Sequence, residues 1–478
     1  MPAAKDNYPR TAANTVELSP DRTPGYAHAE GLTEASARKT SELLTVNHDL
    51  YHNRWNAGLH NHIAHHLLAL WSLGASPEEI QEMWEYNEPY QAPIHKGHPV
   101  NDLDLSDPAL FEECLGKDRH YVDFLVFFRG EVEKKGIPGT VREYVLKGDK
   151  RANDILARMF SDLVHPMIHL GCGIEWDQPS IVAEALAAAC IHTNWPAELI
   201  LAPEEYLKEH EVRESPMLDI LDQLRQDPAM SSAVKSTDPF NKIADGLMKR
   251  VSGQQFAPYL AQFQVKPTAE DIHNKLSENM HAGAYYMAAA QLPGKHEQMD
   301  FVLLHNVTLA GYYPAIIAQD WITNEEKARL VEAKARVDIA MYPGVGCPTL
   351  YPERITNYQP DHPKDGWPEL FRRAIVYRDE GHAVKLTRAL FALEKHFVDV
   401  GSATLPISKA DFMKIAHMSM DSIERAMEPG GSLVSEEKRN AVKKQVGHGY
   451  EFVLNNQTRW VFYNGLEGAW NSVPALKN

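Results

Sequence analysis

Apolar residues recur along this chain at the three- and four-residue steps of an amphipathic helix, and strict alternation of apolar and polar positions is rare. The helical spacing is clearest over residues 43–73, 155–170, 181–191, 301–309 and 370–397. In the first segment, the apolar positions that share one helical face are Leu59, Ile63, Leu67 and Leu70. The pattern predicts an all-α protein whose apolar helix faces point into a core.

Stretches rich in proline and glycine interrupt the helical pattern near residues 93–99, 228–239 and 342–368. They have the character of long connections, and no repeat of fixed period or low-complexity tract divides the chain. Residues 1–35 lack apolar periodicity, so we expect a poorly ordered N-terminal arm. Residues 36–478 are then expected to form a single large helical domain wrapped around a central site.

Composition narrows the possible functions. The 478 residues are 44% hydrophobic, enough for a large core, and carry a net charge of −17. Because phosphate binding needs clustered lysine and arginine, this charge argues against a nucleic-acid partner. No apolar run approaches the roughly 20 residues that cross a bilayer, which argues against a membrane partner. Four cysteines without a CxxC pair are too few for a disulfide framework, and we expect a cytoplasmic protein.

Histidine is the unusual component, because the chain contains 23 and six of them fall between His48 and His66. At about 100° per residue, His62 and His66 lie on the flank of the apolar face, whereas His65 points away from it. His66 is therefore the preferred metal ligand of this cluster, and His62 follows with a supporting catalytic role. The alternative is that these imidazoles lie at the edge of a core helix, where backbone or water satisfies them.

A second histidine pair, His165 and His169, lies in the segment HPMIHLGCGIEW. Pro166 disturbs the helix there, and Gly171 with Gly173 is expected to end it. A histidine beside a helix break reaches a site from a fixed backbone, so His169 is the preferred metal ligand of this pair. His165 takes a supporting catalytic role.

Three further residues complete the candidates. His305 lies in the apolar segment DFVLLHNVTLAG, and His382 is followed by Lys385 on the same helical face. A buried amine loses its charge, and a neutral amine adds carbon dioxide to form a carbamate, which is an oxygen ligand. From residue physics alone, pairing of Lys385 with a surface carboxylate is the simpler interpretation, and a lone His305 is more often a core residue. Histidine nitrogens suit iron, zinc, copper and nickel alike.

Common catalytic and cofactor motifs are absent from the sequence. No GxGxxG follows a strand pattern, and HExxH, GxSxG, a phosphate loop and a CxxCH haem attachment are missing. Glu270 with His273 and Glu278 with His281 have the spacing of a di-iron bundle site. These two pairs lie within twelve residues, so they share one helix and cannot face each other across a bundle.

The strings NHDLYHNRW, GLHNHIAHHLLALWSLGAS, HPMIHLGCGIEW, EALAAACIH and GHAVKLTRAL resemble the signature segments of the questin oxidase-like family. The similarity runs from about residue 40 to residue 470, and several histidine motifs in order make it more specific than any single motif. The family includes fungal enzymes described as Baeyer-Villiger oxidases of anthraquinone and aflatoxin-type pathways. The resemblance implies oxidative opening of the central ring of an anthraquinone such as questin or emodin, giving a benzophenone.

The resemblance also implies non-haem iron, with O2 as co-substrate, held by four histidines and a carboxylated lysine. The implied ligands are His66, His169, His305, His382 and Lys385. NADPH is implied as well, acting through a partner reductase because the sequence has no Rossmann fingerprint. The implied substrate is an aromatic polyketide. Two rival functions remain: a zinc-dependent hydrolase or lyase acting on a polyketide, and a non-catalytic metal-binding protein.

Overall fold

The computed structural model of the chain describes residues 9–56, 59–94, 103–399, 405–427, 440, 443, 444 and 450–476. Most of these residues are helical, which confirms the prediction of a mainly helical protein. The helices are α1 (Glu34–Leu50), α2 (Ile63–Ser72), α3 (Pro77–Asn87), α4 (Pro108–Cys114), α5 (Tyr121–Val141), α6 (Lys150–Met159), α7 (Ser161–Glu175), α8 (Pro179–Ile191), α9 (Ala197–Glu209), α10 (Met217–Gln226), α11 (Pro228–Ser231), α12 (Met248–Arg250), α13 (Gly253–Leu260), α14 (Ala269–Ala289), α15 (Leu303–Ala310), α16 (Tyr313–Ile317), α17 (Asn324–Gly344), α18 (Glu353–Thr356), α19 (Trp367–Val376), α20 (His382–His396), α21 (Asp411–Met427) and α22 (Tyr450–Arg459).

A short antiparallel hairpin of strands β1 (Arg54–Asn56) and β2 (Leu59–His60) separates α1 from α2. The sequence pattern indicates helical spacing throughout residues 43–73, so the hairpin corrects that prediction. The reason is local, because α1 ends where Tyr51 takes an extended conformation and the next residue bonds to another segment. The amide of His52 donates to the carbonyl oxygen of Ala92 at 2.9 Å.

Contacts within the chain define two compact units. Unit 1 consists of Met1–Ala197, Tyr312–Thr323 and Ile375–Arg388, and unit 2 of Glu198–Gly311, Asn324–Ala374 and Ala389–Asn478. In unit 1, α8 packs against α5 and α7, and α1 packs against α2 and α3. In unit 2, α14 packs against α15 and α17. No helix in the described part of the chain is both long enough and apolar enough to span a membrane.

Two glycines of α7 allow its neighbours to approach closely. A Cβ on Gly173 would lie 2.6 Å from Cγ2 of Val182 in α8, and one on Gly171 would lie 2.7 Å from Cβ of Tyr312. The prediction that these glycines end the helix is wrong, since α7 continues to Glu175. Packing outweighs the low helix propensity of glycine at both positions.

The break in α7 comes before Pro166 and has an unusual form. Asp162, Leu163 and Val164 have φ values of 45°, 55° and 58°, which makes a left-handed turn of three residues that are not glycine. Such a conformation costs roughly 1–2 kcal/mol per residue. Pro166 then lies in the first turn of the right-handed part, where its missing N–H is tolerated. The turn redirects the chain just before the second histidine pair.

Residues 9–33, which belong to the segment predicted as an arm, contain no helix or strand. Val16 and Leu18 are each 5% exposed. The side-chain amide of Gln178 bonds to the backbone nitrogen and oxygen of Glu17, at 2.8 and 3.0 Å. This part of the segment is therefore held against unit 1, and residues 1–8 of the predicted arm lie outside the described residues.

Unit 2 contains a buried carboxylate at the start of α15. Oδ1 of Asp300 accepts hydrogen bonds from the amides of Val302 and Leu303, at 2.7 and 2.9 Å. Oδ2 accepts from the amide of Asn464 at 2.8 Å. Asp300 thus satisfies amides that have no partner within the helix and ties α15 to the chain after α22.

Candidate metal centre

The histidines of the first cluster lie at the N-terminal end of α2. His62 is the residue before the helix, and His65 and His66 lie in its first turn. Every residue of α2 is buried, and His65 and His66 are each 1% exposed. Burial therefore extends around the whole helix, and His65 is enclosed although the apolar pattern directs it away from the core.

His62 is paired with His165 of α7. Their Nε2 atoms are 2.9 Å apart, and Nδ1 of His165 donates to the carbonyl oxygen of Asp162 at 2.5 Å. In a neutral imidazole only one nitrogen carries a proton, so Nε2 of His165 is the acceptor. His62 then donates through Nε2, and its Nδ1 carries a lone pair. That buried Nδ1 has no hydrogen-bond partner among the described residues.

His65 is held in the same manner by His169. Nε2 of His65 lies 3.0 Å from Nδ1 of His169, and Nε2 of His169 donates to the Glu184 carboxylate at 2.6 Å. The proton between the two rings therefore belongs to His65, and its Nδ1 carries a lone pair. This atom is also buried and lacks a hydrogen-bond partner in the part of the chain that the structure describes.

Glu184 stays ionised although it is buried in α8. Burial alone raises the pKa of its carboxyl, but the interactions with His48 and His169 lower it to about 2. Nδ1 of His48 donates to the second carboxylate oxygen, and Arg129 donates to Nε2 of His48 at 2.8 Å. An ionised Glu184 fixes the protonated nitrogen of His169.

His66 packs against Gly381, the residue before α20. Gly381 has a φ of +96°, and a Cβ there would lie 2.6 Å from Cγ of His66, so both the backbone and the ring require glycine. The amide nitrogen of Asn87 is 3.4 Å from Nδ1 of His66, but it donates at shorter distances to the carbonyl oxygens of Met83 and Asp379. Nε2 of His66 is buried and has no hydrogen-bond partner within the described ranges.

His382 and Lys385 lie in the first turn of α20. Nδ1 of His382 donates to the Glu380 carboxylate, which leaves the lone pair on Nε2. The His382 ring packs edge-on against that of His62, with ring centroids 4.9 Å apart. His382 is fully buried and Lys385 is 3% exposed. The simpler interpretation from sequence is a surface ion pair of Lys385. The observed side chain is buried, so that interpretation does not describe it.

The Lys385 ammonium group is affected both by burial and by neighbouring carboxylates. Burial lowers the pKa of its ammonium group to about 8, although the carboxylates of Glu380 and Asp379 act in the opposite direction. Near neutral pH a part of the Lys385 population is therefore uncharged. A neutral amine is the form that reacts with carbon dioxide.

The imidazoles around Lys385 are neutral. Burial lowers the pKa of His62 and of His65 well below the usual range, and the charge of Lys385 contributes to both shifts. Burial also lowers the pKa of His66 to about 4, with Asp379 opposing the shift and Lys385 adding to it. The neutral imidazole is the form that binds metal ions.

We refer to five residues as the central group: His62, His65, His66, His382 and Lys385. Three of its imidazoles have buried nitrogens without hydrogen-bond partners among the described residues, and its lysine is buried. Buried polar atoms without partners are uncommon and require an explanation. A metal ion provides one, since iron and zinc accept nitrogen and oxygen donors, although no three of these histidines have ligand atoms within 4.8 Å of one another in this structure.

His305 lies in α15, in unit 2, whereas the other candidate ligands lie in unit 1. It is 1% exposed, and its Nδ1 bonds to the carbonyl oxygen of Phe301 at 2.7 Å. The ring of Phe301 packs edge-on against it, with centroids 5.0 Å apart. The role of His305 as a metal ligand stays a prediction from sequence.

Three residues of this arrangement, His65, Glu184 and Glu380, are missing from the candidates that the sequence provides. His65 carries a usable signal, because it lies three residues after His62 and such a spacing places side chains on one helix side. Glu184 is the one charged residue within the apolar sequence of α8. Glu380 lies in the loop before α20, and only the fold brings its carboxylate to His382.

Two aromatic residues lie beside the loop that precedes α20. Trp55 and Tyr90 pack edge to face with centroids 5.0 Å apart, and the Tyr90 hydroxyl donates to Oδ1 of Asn87 at 2.5 Å. Burial raises the pKa of Tyr90 well above its usual range, and the charges of Glu380 and Asp379 add to the shift. This pair therefore offers uncharged aromatic surface close to the central group.

Comparison with known proteins shows which family shares these segments. A family model described as Questin oxidase-like matches residues 59–390, a span that contains the complete central group. Oxidoreductase AflY of Aspergillus parasiticus is 41% identical to this chain, covering 99% of the chain and 96% of the relative. Baeyer-Villiger monooxygenase dmxR6 of Cryptosporiopsis sp. is 36% identical, with 86% and 94% covered. Questin oxidase of Aspergillus terreus is 33% identical, with 87% and 94% covered.

Proposed function

The chain belongs to the questin oxidase-like family of oxidoreductases, and on that premise we propose that it is a non-haem iron oxygenase. Its proposed substrate is an anthraquinone of the questin or emodin type, whose central ring is opened at a carbon-carbon bond to give a benzophenone. The name of the Aspergillus terreus relative supports this substrate class. The observation that carries the proposal is the central group, in which three histidines with buried ring nitrogens that lack partners among the described residues lie within electrostatic range of a buried lysine.

The proposed iron ligands are four imidazoles and one carbamate, from His62, His65, His66, His382 and Lys385. Nitrogen donors with an anionic oxygen donor suit ferrous iron. His65 replaces His169 in this set, because both nitrogens of His169 already have partners. His62 is included because its Nδ1 carries an unused lone pair.

His165 and His169 act as positioning residues in this proposal. His165 holds the ring of His62, and His169 holds that of His65, each through a ring nitrogen at 2.9–3.0 Å. Outer partners of this kind fix the tautomer and the orientation of a metal-binding imidazole. The supporting role expected for His165 is thereby retained, whereas His62 becomes a ligand.

Carbamate formation would invert the charge of Lys385. The neutral amine forms a bond to the carbon of carbon dioxide and releases a proton, so an ammonium of charge +1 is replaced by a carbamate of charge −1. The change removes a positive charge that disfavours a cation between the imidazoles. It also supplies the anionic ligand that a cluster of neutral imidazoles lacks.

Bound iron activates O2, which by itself reacts slowly with closed-shell organic molecules. The side chains of this protein have the tasks of binding, orientation and exclusion of water. Trp55 and Tyr90 provide aromatic surface for a flat polyketide ring system. We include NADPH in the proposal as the electron source of a partner reductase that first reduces the quinone, since the sequence has no dinucleotide fingerprint.

Lys385→Ala and His382→Ala test this function. Both variants are expected to lose bound iron and, with it, the oxidation of an emodin-type anthraquinone or its hydroquinone, because each removes one ligand. Iron is measured by elemental analysis, oxygen uptake with an electrode, and the product by mass spectrometry. A short carboxylic acid such as acetate is expected to restore part of the activity of Lys385→Ala, because it supplies an oxygen ligand.

His281→Gln serves as the control, since His281 is a fully buried histidine of unit 2. It is expected to keep both iron and turnover. Full turnover by a metal-free preparation would refute the proposal. Turnover that persists without oxygen in a zinc-loaded protein would instead support the hydrolase or lyase, and bound metal without any reaction would support the binding protein.

A further inference from the structure

A second set of ligand-type side chains, which we call the flank cluster, consists of His60, Asp162 and His192. Each residue offers one ligand atom, and these atoms lie within 4.8 Å of one another. The Nε2 atoms of His60 and His192 are 2.8 Å apart, and Nε2 of His192 is 3.6 Å from Oδ2 of Asp162. No other three histidine, cysteine, aspartate or glutamate side chains among the described residues are grouped so tightly.

The flank cluster borders the central group without sharing a residue with it. The His60 ring stacks on that of His165, with centroids 4.0 Å apart and planes within 4° of parallel. His165 in turn contacts His62 of the central group. The stacked rings direct their Nε2 atoms to different partners, since His165 contacts His62 and His60 contacts His192.

The protonation of His192 leaves a lone pair facing the cluster. Its Nδ1 donates to the carbonyl oxygen of Ala188 at 2.5 Å, so Nε2 is unprotonated in the neutral ring. Nε2 of His60 donates its proton to this atom in the metal-free chain, and a metal ion that binds both nitrogens displaces that proton. Two imidazoles bound to a tetrahedral ion at about 2.1 Å would have nitrogens about 3.4 Å apart, so the two rings, whose Nε2 atoms are 2.8 Å apart in this structure, separate slightly when the ion binds.

Asp162 reaches the cluster through the left-handed turn before α7. It is the first of three successive non-glycine residues with positive φ. Backbone strain of this kind persists only where the surroundings impose it, and it concentrates at functional sites. Here the turn lets the Asp162 carbonyl bind His165 while its carboxylate lies near His192. The carboxylate also accepts a hydrogen bond from Arg54 at 2.7 Å.

We propose that His60, Asp162 and His192 bind a second divalent metal ion, separate from the ion of the central group. Two imidazoles and one carboxylate are donors for a first-row transition metal such as Zn2+, with water completing the coordination. The Asp162 side chain is 18% exposed, which provides access from solvent to an otherwise buried cluster. This site does not depend on whether the central group holds iron.

Zinc stoichiometry tests the second site. Wild-type protein, stripped with a chelator and titrated with Zn2+ by calorimetry, is expected to bind two equivalents. His192→Gln is expected to bind one equivalent, because the flank cluster loses the lone pair on Nε2. His281→Gln, a buried histidine outside both clusters, is the matched control and is expected to bind two. Circular dichroism verifies the fold of each variant.

Lys385→Met distinguishes this site from the central group and is expected to bind one equivalent. A single equivalent in the wild type that His192→Gln retains would overturn the flank site and leave the proposed function intact. The wild type could also bind a single equivalent that is lost in His192→Gln and kept in Lys385→Met. That result would overturn both the second site and the iron ligands proposed above.

Arg54→Gln provides a measurement that does not require removal of a ligand. The Arg54 guanidinium lies against Asp162 and repels a cation bound there, so its loss is expected to strengthen one of the two zinc-binding events by about tenfold or more. An arginine that serves only as a structural partner of Asp162 predicts no such gain. Unchanged affinity for both ions in a folded Arg54→Gln protein would refute the proposal.

Discussion

Glu184 links three histidines through one carboxylate. It accepts hydrogen bonds from His48 and His169, and His169 in turn accepts from His65. The proton positions along this series follow from the ionised carboxylate, whose pKa is about 2. Glu184 therefore determines which nitrogen of His65 carries the lone pair, although it does not itself touch the central group.

Glu184→Gln is expected to weaken metal binding by up to about 10-fold, less than the loss of a direct partner of a metal ligand, because Glu184 acts on His65 through His169. A glutamine amide offers one acceptor instead of two, so one histidine loses its orientation. Metal affinity is measured by competition with a chelator. Glu131→Gln is the control, since that carboxylate binds Lys135 and Tyr144 instead. Equal affinities in Glu184→Gln and wild type would contradict this role.

At the scale of single residues, the sequence identifies four of the five residues of the proposed central group. His62, His66, His382 and Lys385 are candidates from sequence that lie in this group. His65 is missed because the apolar stripe marks only one face of a helix that is buried on all faces. The roles of His65 and His169 depend on which ring nitrogen carries a proton, and that is decided by Glu184, fifteen residues away from His169.

The left-handed turn before α7 is the least predictable element of unit 1. Its residues Asp162, Leu163 and Val164 have no glycine among them, and a positive φ is unfavourable for each. Helices such as α8 and α14 follow from apolar spacing, whereas the turn and the hairpin of β1 and β2 are imposed by tertiary contacts. Sequence reasoning predicts a helix break near Pro166, but it does not predict that the break is a left-handed turn.

Leu163 offers a direct test of the backbone at this turn. In a right-handed helix, glycine is less stable than alanine by about 1 kcal/mol. At a left-handed position the order reverses, because only glycine adopts positive φ without strain. Leu163→Gly is therefore expected to be more stable than Leu163→Ala by about 1 kcal/mol. Denaturant unfolding of both variants measures the difference, and a more stable alanine variant would contradict the left-handed conformation.

At the scale of the whole molecule, stability depends on pH through buried carboxyl groups whose pKa values shift in opposite directions. The pKa of Glu184 is lowered, whereas that of Asp300 is raised. Burial raises the pKa of Asp300 to about 6, against the effect of the backbone amides that bind it. An aspartate in the unfolded chain titrates near 3.9. The native state therefore binds this proton more tightly than the unfolded state does. The resulting contribution to stability is complete below about pH 4 and is lost as pH rises through about 6.

Asp300→Asn is expected to remove this pH dependence. Between pH 4 and pH 7 the wild type should lose up to about 3 kcal/mol relative to the variant, since each pKa unit corresponds to about 1.4 kcal/mol. The asparagine variant has a lower stability at acidic pH, because it replaces one acceptor by a donor facing the amides. Calorimetric melting of both proteins across this range measures the effect, and a constant difference in midpoint would contradict it.

The complete burial of α2 has a consequence for isotope labelling. Its backbone amides are covered on every side, so they exchange with deuterated solvent only when the helix separates from its surroundings. Segments such as residues 9–33, which contain no helix, exchange through smaller fluctuations. Deuterium uptake in α2 therefore records an opening of unit 1 that uncovers the whole helix, and the same opening is the one that exposes His65 and His66 to exchange of a bound ion.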